Sequence, residues 1–430
     1  MIHKALLSTF FFLFFFSWHV SLMPLDTQDQ IIEIKTTTKN SAEQNKKVKL
    51  LLAYQPEEDP GYQALIKHLE AALSWSGHLA VTSKKKGRPQ TKQEILELVQ
   101  EGYPLVLFIQ YDPSDTSVEW RLYDAINADM VKGKKHKKMG KLDAESANAL
   151  AQELWPELLQ EPGFFKTKLA YIRRLSQGLK YRSHICLTNY DGTHEKIIYD
   201  KPTIYAELSF HPSIQAPRLL TSEFTFDGIQ LIMLDFHGNR RSILGGDKAI
   251  IGASLSDCAD TVLYTESGNI WRYTHGKKKG SSEHELLVGR PEKCSSARLC
   301  TDSKDCIYCS DNTIYRYKNS DKKIVTVIDN GIAPDYSAAK KAILFSRKIN
   351  DSLQLFLLHE LKEKPQQLTF DGGNKTDARF SPCGNYIVYC HEKRNKKIIE
   401  TLCIATGKRH SITKETSSCS YPAWSPCYSD

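Results

Sequence analysis

The residues best spaced for chemistry are Cys306 and Cys309, in the run Cys306-Ile-Tyr-Cys309. A two-residue gap between thiols is the spacing of a zinc-ligand pair or a dithiol redox site. Leu244-Gly-Gly-Asp-Lys248 offers a glycine turn and a lysine, the beginnings of a phosphate loop, and fourteen histidines are available as bases or ligands. None of these sets is complete. The glycine turn lacks the serine or threonine and the following helix that cradle a phosphate. His184, His194, His211 and His237 have no partner at ligand spacing, and neither Gly-x-Ser-x-Gly nor His-Glu-x-x-His occurs. The sequence therefore assigns no catalytic residue, no metal ligand and no cofactor.

The two thiols sit inside a repeated unit, and that unit decides what they can do. Taking Ser381 of Phe380-Ser381-Pro382-Cys383 as an anchor, equivalent positions fall at His211, Ser256, Cys300, Ser337, Ser381 and Ser425, the last within Trp424-Ser425-Pro426. Subtracting successive positions gives steps of 45, 44, 37, 44 and 44 residues. Behind four anchors stands the same strand: Val262-Leu-Tyr264, Cys306-Ile-Tyr308, Ile343-Leu-Phe345 and Ile387-Val-Tyr389. Short strands repeating every roughly 40–45 residues are the blades of a β-propeller. Apolar runs such as Ala342-Ile-Leu-Phe345 suit sheets covered on both faces by neighbouring blades. On such a strand residues three apart point to opposite faces, so Cys306 and Cys309 cannot converge on one metal. Ser256, Cys300, Ser337, Ser381, Pro382, Trp424, Ser425 and Pro426 are read as structural residues of the repeat.

The last unit has its Trp-Ser-Pro turn but not the strand that follows the turn elsewhere. A matching strand, Lys168-Leu-Ala-Tyr-Ile172, stands unpaired at the other end of the repeat region. An open ring would leave a sheet edge and an apolar blade face in water. The N-terminal strands of the region are thus expected to complete the C-terminal blade, closing a six-bladed ring.

The run Glu161-Pro-Gly-Phe-Phe-Lys-Thr-Lys-Leu-Ala-Tyr171, the Tyr190-Asp-Gly192 turn and Pro422-Ala-Trp-Ser-Pro426 resemble the TolB family, periplasmic propeller proteins of the Tol-Pal envelope system. The likeness extends upstream through Trp120-Arg-Leu-Tyr-Asp124 and residues 143–159. It departs from the family's Trp-Ser-Pro-Asp-Gly pattern, since Cys258, Cys383 and Cys427 take the Asp place and Cys300 replaces the Ser. The resemblance implies a monomeric, non-enzymatic scaffold that binds the lipoprotein Pal through one face of the propeller and connects to TolA, serving outer-membrane integrity and invagination at cell division. It implies a role for Gln30-Ile31-Ile32-Glu33-Ile34, which resembles the family's TolA-engaging segment. Such a β-prone run can add as a strand to a partner's open sheet edge. The individual Pal contacts are left unassigned. The alternative is a propeller enzyme or small-ligand binder that uses the central channel.

The remaining sequence fits this organisation. Lys4 followed by the apolar stretch from Ala5 to Phe16 is too short to span a bilayer and suits a secretory signal peptide over residues 1–21. The same stretch could be kept as a membrane anchor. Residues 22–47 read as a flexible segment, 48–162 as a small α/β domain and 163–430 as the propeller. Within 48–162, strands are expected at Val48–Ala53, Leu79–Val81, Pro104–Ile109 and Val118–Tyr123. Helices are expected at Tyr62–Leu73, Gln90–Val99 and Asp143–Leu159.

The chain carries 58 Lys and Arg against 50 Asp and Glu, a net charge of +8. The excess is visible at Lys84-Lys-Lys86, Lys134-Lys-His-Lys-Lys138 and Lys277-Lys-Lys279, each beside glycine, and these are read as solvated hairpin or loop tips. No nucleic-acid motif accompanies them, so neither nucleic acid nor, after signal cleavage, a membrane span is expected. Eleven cysteines in an exported chain raise the question of disulfides. A bridge within a blade, such as Cys300 with Cys309 across a hairpin, is one possibility. Small apolar fillers are the other.

Overall fold

A computed structural model describes residues 47–177, 180–212, 217–245, 249–256, 260–274, 283–289, 294–300, 304–414 and 418–428, with the backbone alone at 176–177 and 180–181. Ile31, Ile32, Glu33 and Ile34, the signal-peptide stretch, Cys258 and Lys277–Lys279 lie outside the described residues. So does the end of the Leu244–Lys248 turn.

The α/β region is built from β1 (Val48–Tyr54), α1 (Pro60–Ser74), β2 (Leu79–Lys85), α2 (Lys92–Gln100), β3 (Leu105–Asp112), β4 (Ser117–Asp124), β5 (Asp129–His136) and α3 (Ala144–Leu159). The sheet order is β2-β1-β3-β4-β5, parallel at β2-β1-β3 and antiparallel beyond. Alternation along β1 sends Leu50 and Leu52 towards α1 and α3, and Leu51 and Ala53 towards α2. The helices start where side chains cap them: Asp59 accepts from the Tyr62 N–H at 2.8 Å, Thr91 from Glu94 at 3.2 Å, and Asp143 from Glu145 and Ser146. The expected elements are present, with β5 as an addition.

That addition corrects the reading of the lysine clusters. Lys84 and Lys85 lie on β2, with Lys86 directly after it, and Lys134 and Lys135 lie on β5, so both clusters belong to the two edge strands of the sheet rather than to loop tips. Lysine along an edge strand discourages pairing with another chain. Several are paired locally, Lys84 and Lys86 with Glu101, Lys132 with Glu157 and Lys134 with Glu153.

Six four-stranded sheets follow. Blades 1 to 5 begin with the strands Ile204–Phe210, Ile250–Leu255, Ser295–Cys300, Ile332–Ser337 and Asn374–Phe380. Blade 6 begins with Ser418–Trp424, and its other three strands are Lys168–Gln177, Lys180–Asn189 and Lys196–Lys201. The first strands touch their neighbours in a closed cycle, so they are the inner strands around the axis. Blade 6 is joined from the two ends of the repeat region as the sequence implied: Trp424 lies opposite Leu169 and Ala423 opposite Ala170.

The connector between α3 and blade 6 ties closure to the α/β region. Phe164 and Phe165 stack on each other at 4.4 Å and pack on Trp155 of α3, while Phe164 also meets Trp75, Tyr190 and Tyr386. Three residues on, the Thr167 hydroxyl accepts the Trp424 indole N–H at 2.8 Å. A single apolar cluster therefore runs from the α/β sheet through the connector into blades 5 and 6. The loop after α1 adds polar contacts with blade 5. Thr406 donates to the Ser76 carbonyl at 2.6 Å, Lys408 to the Ser74 carbonyl at 2.7 Å, and the His410 ring lies flat on Trp75 at 4.6 Å with Nε2 2.7 Å from the Trp75 carbonyl.

The cysteine bridge entertained from the sequence is not made. Cys309 lies opposite Ser295 and Cys300 opposite Asp305, at the two ends of the strand pair, and both remain thiols. Cys186, Cys306, Cys390 and Cys403 are buried thiols as well, serving as small apolar fillers.

Two outcomes follow from this packing. Trp424→Ala removes a buried indole from the closing blade and is expected to cost about 3–5 kcal/mol in chemical denaturation. A variant that melts as the parent does would show that closure lies elsewhere. Burial holds both His78 and His410 below the ordinary histidine value, so both are neutral in the closed junction. The stability they contribute is complete above that ordinary value and is lost as pH falls through the depressed ones. His410→Gln keeps a donor for Trp75 but does not titrate, so melting temperature should fall less steeply between neutral pH and pH ~5 than in the parent. Equal slopes would remove His410 from the account.

Candidate functional site

The serine anchors at Ser256, Ser381 and Ser425 pin the first strand of a blade to the start of the second. The Ser256, Ser381 and Ser425 hydroxyls accept the backbone N–H of Thr261, Tyr386 and Lys168 at 3.1, 3.1 and 2.7 Å. The N–H of each serine donates back to the carbonyl of the same partner, at 3.0, 2.8 and 2.8 Å. One serine thus satisfies both backbone groups of the residue that opens the second strand, which explains why the position repeats. His211 keeps the backbone half of the pattern, donating to Arg218 at 2.9 Å, and the Ser337 hydroxyl accepts the Lys340 N–H instead at 3.3 Å. Cys300 is a buried thiol at the same place. Pro382 lines a cavity beside its anchor, Pro426 accepts from the Ser425 hydroxyl at 2.7 Å, and Trp424 fills the closing blade.

A second ring of equivalent positions lies four residues before the anchors: Glu207, Gly252, Ser296, Ala333, Asp377 and Tyr421. All six have positive φ, between 50° and 72°, and the register of every inner strand shifts there. Each inner strand therefore carries a left-handed bulge at one level of the ring. A third ring, two residues before the anchors, comprises Ser209, Ser254, Arg298, Asp335, Arg379 and Ala423. Some of these reach the next blade: Ser254 accepts the Leu299 N–H at 3.3 Å and Asp335 the Phe380 N–H at 2.9 Å.

Charged side chains from these two rings meet on the axis. Arg298 of blade 3 donates to Glu207 of blade 1 at 2.9 Å, and Arg379 of blade 5 lies 3.9 Å from the same carboxylate. Blades 1, 3 and 5 are not neighbours, so the channel is where they can touch. Asp335 completes the set 3.8 Å from Arg298. A Cβ on Gly252, which has φ of +72°, would lie 2.7 Å from the Glu207 carboxylate, so a side chain there would have to displace it. Burial opposes the charge on Glu207, but Arg298 and Arg379 outweigh it and hold its pKa down. Asp377 lacks so close a cation, and burial pushes its carboxyl up.

The sequence offered the central channel only as the place of the alternative function and assigned none of its residues. The signal lay in the residues two and four places before each anchor, where charges of both signs alternate with small residues. His184, which lacked a partner at sequence spacing, lies 3.2 Å from Asp200 on the next strand of blade 6. Among the described residues no group of three or more His, Cys, Asp or Glu is placed to hold a metal ion, and no helix is long and apolar enough to cross a membrane. Arg298→Ala should leave Glu207 buried without its closest cation and destabilise the propeller by about 3–5 kcal/mol. A loss below roughly 1 kcal/mol, the scale of an exposed pair, would mean that water already screens the channel.

No protein-family model and no curated protein matches this chain. Solved structures do. TolB from Acinetobacter baumannii is 19% identical, with 89% of this chain and 97% of that chain covered at a TM-score of 0.73. A putative TolB from Agrobacterium tumefaciens is 12% identical, covering 57% of this chain and 88% of that chain at a TM-score of 0.46. The first of these spans both the α/β region and the propeller, and the fold of this chain is that of TolB.

Proposed function

We propose that the chain is an exported, non-enzymatic scaffold of a Tol-Pal system, binding a Pal-type lipoprotein through its propeller and linking it to a TolA-type inner-membrane protein. The observation that carries this reading is the likeness to TolB over 97% of that chain. In this reading residues 1–21 are the signal peptide, 22–47 a flexible segment, 48–162 the α/β domain and 163–430 the propeller. The mature protein resides in the periplasm as a monomer and acts in outer-membrane integrity and invagination.

The fold favours one face of the ring for Pal. The turns after the inner strands of blades 4, 5 and 6 lie on the side of the α/β region, which covers blades 5 and 6 there. Among the described residues, the opposite face carries the linkers between blades and the hairpins after the second strands. It presents the exposed rings of Phe226, in a hairpin, and Phe370, in a linker. Exposed aromatics on a rigid frame are the usual anchors of protein–protein contacts. Ile31, Ile32, Glu33 and Ile34 supply a strand for the TolA-type partner's sheet edge.

A second reading has some support in the charged groups that converge in the channel, as a small-ligand site would require. Their pairing with one another weighs against it, since Glu207 is already engaged by Arg298.

Capture experiments with purified partners test the main reading. Deleting 26–39 should leave the fold and Pal capture unchanged and abolish capture of the TolA-type protein. Undiminished TolA capture would remove the segment's role. Failure of the intact protein to retain Pal would overturn the scaffold reading.

A further inference from the structure

A cavity of about 430 Å³ lies where the connector from α3 to blade 6 passes over the turns that follow the inner strands of blades 4 and 5. Its volume is in the range of small-ligand pockets, about 300–1,000 Å³. One wall is Glu161, Gly163 and Phe164 of the connector, and the other is Lys340, Pro382 and Asn385 of the two turns. The site is held by packing on both sides. A Cβ on Gly384, which has φ of +72°, would lie 2.6 Å from Lys340 Cγ, so the stem of Lys340 runs against the bare glycine. A Cβ on Gly163 would lie 2.8 Å from the Gln152 carbonyl, so the connector lies flat on α3.

The carboxyl of the cavity is only partly satisfied by the protein. Glu161 Oε2 is buried and has no hydrogen-bond partner. Lys340 stands near enough to act on Glu161 electrostatically, but the two are not within ion-pair distance and Lys340 is exposed on the rim. Burial raises the pKa of Glu161, against the influence of Lys340 and Asn385. A buried carboxyl oxygen without a donor is an unsatisfied acceptor, and a ligand that brings a donor satisfies it.

We propose that this cavity binds a small zwitterion, a free amino acid or short linear peptide, with its ammonium on Glu161 and its carboxylate on Lys340. Phe164 and Pro382 supply the apolar walls for the body between the two charges, and the Asn385 amide, which has both a donor and an acceptor, can bond a peptide group. The inference is independent of the partner-binding reading, because the cavity lies on the face that carries the α/β region.

Calorimetric titration of the full chain with alanine, trialanine, N-acetyl-trialanine and trialanine amide tests it. Saturable binding of alanine or trialanine is expected, with acetylation and amidation each weakening trialanine by about tenfold or more, the scale of one charge-assisted bond. Saturation by alanine would identify a free amino acid as sufficient, and saturation by trialanine alone a peptide. Glu161→Gln should abolish discrimination against the acetylated peptide only, and Lys340→Met discrimination against the amide only. Alkylation of Cys383, a partly exposed thiol lining the cavity, should slow when the site is filled. No heat and no protection with any probe at millimolar concentration would overturn the proposal, as would variants that bind all four probes as the parent does. Both variants should capture Pal normally, which shows that they fold and separates this outcome from failure of the scaffold reading.

Discussion

Lys168 and Ser425 hold each other by two short hydrogen bonds, and through them the ring is closed. Each blade buries its apolar faces against its neighbours, so none of the six is stable unless the circle is complete. Blades 2 and 5 make the same contact within a hairpin, Ser256 with Thr261 and Ser381 with Tyr386. In blade 6 it joins strands from opposite ends of the repeat region. The neighbouring Thr167 and Phe164 extend this contact to Trp424 and to the α/β core. Closure of the propeller and docking of the α/β region are therefore one packing problem, solved by the same few residues of the connector.

The channel is the second constraint. Six inner strands approaching one axis leave little room, and bulges turn the backbone at a common level so that the side chains can be accommodated. In this chain some of those side chains are charged. Arg298 and Glu207 are mostly buried, at 7% and 14% exposure, and a buried ion pair adds little net stability compared with apolar packing. What the cluster does supply is mutual compensation: each charge brought to the axis by one blade meets an opposite charge from another.

Much of the architecture was legible because repetition amplifies weak local signals. Ser381, Ser425 and the apolar strands behind the anchors gave the blade number and the mode of closure, and Lys168–Ile172 declared itself by lacking a partner in sequence. The α/β strands and helices followed from periodicity. Strand β5 did not, because Met130-Val-Lys-Gly-Lys-Lys135 is exposed on both faces and has no apolar alternation; its only cue was the lysine content that an edge tolerates. The bulges were hidden for a different reason. Only Gly252 and Asp377 among the six have residue types favoured at positive φ, so the geometry is imposed by the ring and leaves little local mark. The pairing of Glu207 with Arg298 spans 91 residues, a distance at which residue spacing says nothing.

The separation of Lys168 from Ser425 also sets a timetable. Their hydrogen bond connects residues 257 apart. At roughly 5–20 residues per second of synthesis, Lys168 precedes its partner by on the order of 10–50 s. During that interval the strands of blade 6 present an open edge and an uncovered apolar face. Folding that depends on so distant a contact is slow and exposed to aggregation, so the nascent chain must be kept unfolded or shielded until Ser425 arrives. The contact that makes the finished ring durable thus makes its assembly dependent on protection from other chains.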